Sequence, residues 1–81
     1  MENNPFTAKW KMNNPRWFTA EKEGYIMQVN ITVIGAPTWY IYKNGIAVDG
    51  CYCHAPTKCE LSARVQAERV LNEILKQNKH A

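Results

Sequence analysis

Residues 39–53 read Trp-Tyr-Ile-Tyr-Lys-Asn-Gly-Ile-Ala-Val-Asp-Gly-Cys-Tyr-Cys, and this stretch decides the fold. Asn44-Gly45 is a strong hairpin signal, because a two-residue type I′ turn needs positive φ at both central positions and Asn and Gly tolerate it. Such a turn sets a register in which Lys43 faces Ile46, Tyr42 faces Ala47, Ile41 faces Val48 and Tyr40 faces Asp49. Alternation along the strands then places Trp39, Ile41, Ile46 and Val48 on one face, the natural core face. Tyr40, Tyr42, Ala47 and Asp49 share the other, so two tyrosines look outward. A bulge at Asp49-Gly50 would swap the phase beyond it, which leaves the orientation of Cys51 and Cys53 open.

Upstream of the hairpin, residues 25–34 alternate most cleanly. Tyr25, Met27, Val29, Ile31 and Val33 line one face, and Gln28, Asn30 and Thr32 the other, with Ile26 and Ile34 at the ends. This pattern predicts an antiparallel strand with one packed and one wet face. Gly35-Ala36-Pro37-Thr38 turns the chain into the hairpin. Residues 6–12 predict a first strand, with Phe6, Ala8, Trp10 and Met12 on one side and Thr7, Lys9 and Lys11 on the other. Asn13-Asn14-Pro15 breaks it. Residues 19–24, charged and ending in Gly, read as an exposed loop. A short echo links Asn-Asn-Pro-Phe-Thr-Ala-Lys at 3–9 with Asn-Asn-Pro-Arg-Trp-Phe-Thr-Ala-Glu-Lys at 13–22, too brief for a repeat architecture.

Downstream, Ala55-Pro56-Thr57 ends the sheet. Thr57 and Glu60 have the spacing of a capping box, and a helix is predicted over about 58–78. Cys59, Ala63, Ala67, Val70, Leu71, Ile74 and Leu75 fall in one arc, a stripe suited to lying across a sheet. Ser62, Glu68, Arg69, Asn72, Glu73 and Lys76 face away from it. Glu60–Arg64, Arg64–Glu68 and Arg69–Glu73 are oppositely charged pairs one turn apart. Lys79 and His80 suit the negative end of the helix dipole. The expected architecture is α+β, a single domain spanning 1–81. Its antiparallel sheet has three to four strands (about 6–12, 25–34, 39–43 and 46–53), with one long C-terminal helix packed across one face. The other sheet face has nothing left in the chain to cover it.

Composition sets the bounds. A chain of 81 residues buries only about 60% of its unfolded surface, so its core is modest. Ten Lys and Arg against seven Asp and Glu give a net charge of +3, which permits contact with nucleic acid without requiring it. No apolar run reaches the roughly eighteen residues of a membrane span. The start, Met-Glu-Asn-Asn-Pro, lacks the basic and apolar regions of a signal peptide, so a cytoplasmic setting is expected. Three cysteines, an odd number, fit a reducing compartment.

Three groups of residues bear on chemistry. Cys51, Cys53, His54 and Cys59 carry metal-ligating atoms, but Cys-x-Cys sets two sulfurs about 7 Å apart along a strand, unlike the usual zinc knuckle. Cys59 also suits the helix stripe as a small apolar residue. No metal or other cofactor is therefore expected. Tyr40 and Tyr42 on the open face, which Tyr52 joins only if the strand keeps the right phase beyond Gly50, and Trp17 next to Arg16 in a loop, are the usual anchor types of interfaces. Aromatic residues also favour strands in any case. Lys9, Lys11 and Arg16, together with Lys22, make the N-terminal quarter basic. Lys9 and Lys11 would stand beside the tyrosines if strand 6–12 adjoined them, an arrangement that suits nucleic acid. Paired carboxylates, phosphate-binding glycine loops and nucleophile–base sets are absent, which argues against an enzyme.

Over residues 39–75 the pattern Trp-x-Ile-x-x-Asn-Gly-x-x-x-x-Gly, followed by a helix with Ala63, Ala67, Val70 and Leu71, resembles a known class of short proteins. These are hairpin-plus-helix proteins encoded by phages and prophages, a class that includes some anti-CRISPR inhibitors of host defence. The resemblance implies a small inhibitor that binds a host protein or ribonucleoprotein complex in the bacterial cytoplasm and occludes a site. It carries over no individual residue. The layout is also similar to three-stranded-sheet-plus-helix DNA readers of the integrase arm-binding and AP2 types. Those read with Arg-rich strands, whereas residues 39–53 hold one Lys, one Asp and no Arg, and residues 25–34 hold no charge. That leaves out the dominant affinity term for DNA. Protein binding through Tyr40, Tyr42, Trp17, Arg16, Lys9 and Lys11 is therefore the first expectation and nucleic-acid binding the alternative. A homodimer through the open face is a third.

Overall fold

The computed structural model describes residues 6–54 and 56–79. Five strands form one antiparallel meander in sequence order: β1 (Lys11–Asn14), β2 (Trp17–Lys22), β3 (Tyr25–Ile31), β4 (Pro37–Lys43) and β5 (Ile46–Gly50). A single 3-10 turn, Cys51–Cys53, leads toward the helix α1 (Glu60–Lys79). The α+β class and the antiparallel sheet with one C-terminal helix are as expected. The strand count of three to four is corrected to five.

The extra strand comes from residues read as a loop. Trp17–Lys22 pairs with both β1 and β3, and buries Phe18 and Ala20. Its link to β3 is the two-residue turn Glu23-Gly24, with φ of 50° and 86°, close to the 53° and 79° of Asn44-Gly45. The two turns are the same device, since short hairpins need positive φ to match strand twist. β1 meets β2 at Pro15-Arg16, where the Asn14 carbonyl oxygen of the side chain accepts the Arg16 N–H at 2.8 Å. Asn13 and Asn14 therefore belong to β1, and only Pro15 lies in the break.

The predicted strand 6–12 is also corrected: residues 6–10 are an irregular strap, and pairing begins at Lys11. The reason is a competing acceptor. Glu68 on α1 takes the backbone N–H groups of Thr7 and Ala8, the Thr7 hydroxyl and the Trp10 indole N–H. Donors bound to a carboxylate are not available to a ladder. Glu68, expected to face solvent, is 3% exposed as a result. Arg64 does not pair with it. Its guanidinium bonds Glu60 and lies 4.8 Å from the Phe6 ring centroid and 5.3 Å from that of Phe18. The sequence echo thus brings its two phenylalanines to one cation, although residues 3–5 of its first copy lie outside the described residues.

The core follows the expected periodicity. Phe18, Ala20, Tyr25, Met27, Val29, Trp39 and Ile41 point to the helix side, against Ala63, Ala67 and Leu71. The small alanines let α1 lie close on β3 and β4, the strands it contacts most. A helix about 10 Å across covers about two strands spaced about 4.8 Å apart. The strap's Ala8 and Trp10 extend the cover toward β2.

Among the described residues nothing does the same for β5, and Ile46 and Val48, expected in the core, are 68% and 47% exposed. The bulge also falls earlier than expected. It sits at Val48, so Ile41 faces Asp49 and Tyr40 faces Gly50. Strand β3 stops at Ile31, and Val33 and Ile34 are exposed in the turn to β4, where Thr32 Oγ1 accepts the Ala36 N–H at 3.1 Å. The helix starts at Glu60, because Thr57 Oγ1 makes no hydrogen bond and the capping box does not close. Cys59 leaves the core stripe and is exposed. The Lys79 side chain and His80, expected near the helix dipole, lie outside the described residues. No helix among the described residues is long and apolar enough to cross a membrane.

Candidate functional site

The uncovered face of the sheet is built from the residues that alternate with the core. Cross-strand register gives three rows. Trp17, Asn30 and Thr38 form one. Lys11, Thr19, Gln28, Tyr40 and Gly50 form the second, and Glu21, Ile26, Tyr42 and Ala47 the third. Tyr40 and Tyr42 lie on this face as expected. Their ring centroids are 6.3 Å apart with planes at 41°.

Tyr52 joins them. It leaves the 3-10 turn and folds back so that its ring centroid is 6.1 Å from that of Tyr40. Gly50 makes room for this. A Cβ there would stand 2.6 Å from Tyr52 and 2.7 Å from Tyr40, and its backbone is ordinarily extended, so the requirement is for space. The three tilted rings form a contiguous aromatic platform at the β4–β5 end, and Ile26, 43% exposed, extends it beside Tyr42.

Charge is distributed unevenly. Lys11 and Glu21 sit at the β1–β2 side, and Arg16 stands in the turn beside Trp17. Trp17 belongs to β2 and not to a loop. Lys43 and Asp49 are both directed to the helix side. The Lys43 ammonium lies 4.3 Å from the Tyr25 ring centroid, and Asp49 bonds His54 Nε2 at 2.9 Å. Among the described residues the tyrosine end therefore carries no charge. Lys11 shares a row with Tyr40 but stands three strands away, about 14 Å at the usual strand spacing. Lys9 lies in the strap, on the helix side. The arrangement that placed Lys9 and Lys11 beside the tyrosines is thus corrected, because β1 is the far edge of the sheet and not a neighbour of β4.

The cysteine cluster is dispersed. Cys51, Cys53 and Cys59 are all free thiols. His54 is engaged by Asp49, with its ring centroid 5.3 Å from that of Trp39. Cys59 stands just ahead of α1, with Sγ 3.3 Å from Ser62 Oγ. That hydrogen bond, with the Ser62 and Leu61 backbone N–H groups, pulls the Cys59 thiol below its usual range. Among the described residues no three His, Cys, Asp or Glu side chains meet as a metal site. A shallow groove of about 390 Å³ runs between Thr57, Lys58 and the helix residues Leu61, Val65 and Arg69, away from the tyrosines.

Gln28 and Asn30 lie on the open face as expected, and Trp17, Thr19 and Glu21 join them there only because β2 is a strand. The signal was present in the inward pair Phe18 and Ala20 and in Gly24. No protein-family model matches the chain, nor does any curated protein or solved structure.

Proposed function

We propose that this chain is a small, non-enzymatic protein-binding module that docks a partner on its open sheet face. The centre of contact is Tyr40, Tyr42 and Tyr52, extended by Ile26 and Trp17. One observation carries the reading: on a chain of net charge +3, the aromatic end of the open face has no charged side chain among the described residues, since Lys43 and Asp49 are turned to the helix side. An uncharged aromatic patch is inexpensive to desolvate, and Tyr and Trp are preferred interface anchors. The sheet edges are poorer surfaces. β1 and β5 each carry a register break, which blunts strand addition. The narrower idea of a phage-borne inhibitor that occludes a host-defence complex rests on the resemblance of residues 39–75, and it is proposed on that footing.

A second reading has its own support. Lys11 and Arg16 flank Trp17 at one end of the face, a cation-and-ring grouping that suits single-stranded nucleic acid. The tyrosines lack such neighbours, which ranks it second. Titration of labelled duplex and single strands at low and near-physiological salt separates the two. Protein docking predicts weak binding that disappears with salt. Retained binding with a steep salt slope places nucleic acid first. Sedimentation of the pure protein tests the third arrangement, since a dimer broken by Tyr42→Ala makes the partner a second copy.

A further inference from the structure

Glu68 is a charged side chain buried at the helix–sheet seam, and its described hydrogen bonds all come from the strap. Oε1 accepts the Thr7 N–H, the Thr7 hydroxyl and, at 3.0 Å, the Ala8 N–H. Oε2 accepts the Trp10 indole N–H at 3.0 Å. Residues 7–10 pair with no strand among the described residues, so this carboxylate does the work that a neighbouring strand would do. Lys22 on β2 supports it from the side, donating at 2.7 Å to both Thr7 Oγ1 and Asn72 Oδ1. The fully buried core under α1 is made by Ala63, Ala67 and Leu71 on Met27, Val29, Trp39 and Ile41, and the strap's Ala8 and Trp10 pack against its margin only partly buried.

We propose that the Glu68 carboxylate is a latch: its charge holds residues 7–10 across the seam, and neutralising it frees them while the sheet and α1 stay folded. The groups around it set the direction of the pH response. Lys22 faces it from β2 through Thr7. Arg64, one turn earlier, is committed to Glu60 and the aromatic rings, and Asn72, one turn later, is neutral. Arg69 and Glu73 line the groove beside it, and Lys9 on the strap is exposed. Burial by itself would raise the Glu68 carboxyl, but the hydrogen bonds from Thr7, Trp10 and Ala8 outweigh it and hold the group below its ordinary value. A carboxyl depressed by folding stabilises fully above its ordinary value and loses that contribution as pH falls through its folded value. The latch is therefore shut at neutral pH and opens in acid.

Amide exchange and the Trp10 indole N–H resonance of the full chain test this. Gln offers one acceptor where the carboxylate offers two, and its amide meets a donor. Glu68→Gln should speed exchange at Thr7 and Ala8 by about tenfold or more, with Met27 and Ile41 unchanged within about twofold. In the wild type the same release should appear on acidification, and in Glu68→Gln the Trp10 signal should not respond to pH. Trp10→Phe, which removes only the Oε2 donor, should give a smaller increase. Unchanged protection of Thr7 and Ala8 in Glu68→Gln would overturn the proposal. So would loss of strap and sheet protection together, in acid or in the variant, or failure of the variant to fold.

Discussion

Met27 and Ile26 are neighbours on one strand and share its twist, pairing and length. Met27 is fully buried under α1, while Ile26 stands in the open beside Tyr42. The same contrast separates Ile41 from Tyr40 and Val29 from Gln28. The two faces of this sheet differ in which residue parity they present and in whether any of the described residues lie over them. One helix and one strap are enough for the inner face as far as β4. The outer face has no cover among the described residues, and it carries the rings of Tyr40, Tyr42 and Tyr52 with Ile26 beside them. That pattern suits a surface kept for another molecule.

Changes on the two faces should therefore separate stability from binding. The largest loss is expected at Trp39, the bulkiest fully buried side chain. Trp39→Ala should cost about 3–5 kcal/mol by denaturant unfolding. Trp39→Phe should cost well under that, because the buried indole N–H has no hydrogen-bond partner among the described residues. An equal loss in both variants would mean that the indole N–H is satisfied after all. Next comes the neighbouring pair. Met27→Ala should cost about 2–5 kcal/mol and Ile26→Ala under about 1 kcal/mol. Similar costs at the two positions would abolish the distinction between faces.

Gly50→Ala should cost about 1–3 kcal/mol, since the new methyl must displace the rings of Tyr40 and Tyr52. Its mark should be a shift of those two ring resonances, with the Met27 and Leu71 methyl signals unmoved. The smallest stability effect is expected for Tyr42→Ala, within about 1 kcal/mol, because that ring is only partly buried, on the face that α1 does not cover.

Much of the inner face was legible from sequence, and the reasons are physical. Asn44-Gly45, the alternation of residues 25–31 and the stripe of Ala63, Ala67 and Leu71 each obey a single period with strong turn chemistry. β2 was hidden because Glu21, Lys22 and Glu23 mask a short alternation whose inward residues are only Phe18 and Ala20. The strap was hidden because its partner, Glu68, lies sixty residues away and offers a carboxylate where a strand was expected. The bulge at Val48 could not be placed because β5 lies beyond the helix, and a strand without a buried face has little to fix its register. On the outer face, Tyr40 and Tyr42 could be read from the hairpin alone. Their separation from Lys9 and Lys11 could not, since it depends on β1 being the far edge of a five-stranded meander.

The central claim is that the open face binds and the covered face folds. The most direct test is to compare Tyr40→Ala/Tyr42→Ala with the wild type in one experiment, measuring thermal unfolding and retention of the partner captured by the wild type. The double variant should unfold within about 8 °C of the wild type, as expected for a loss of about 1 kcal/mol, and should lose the partner. A folded double variant that retains the partner as well as the wild type does would contradict it.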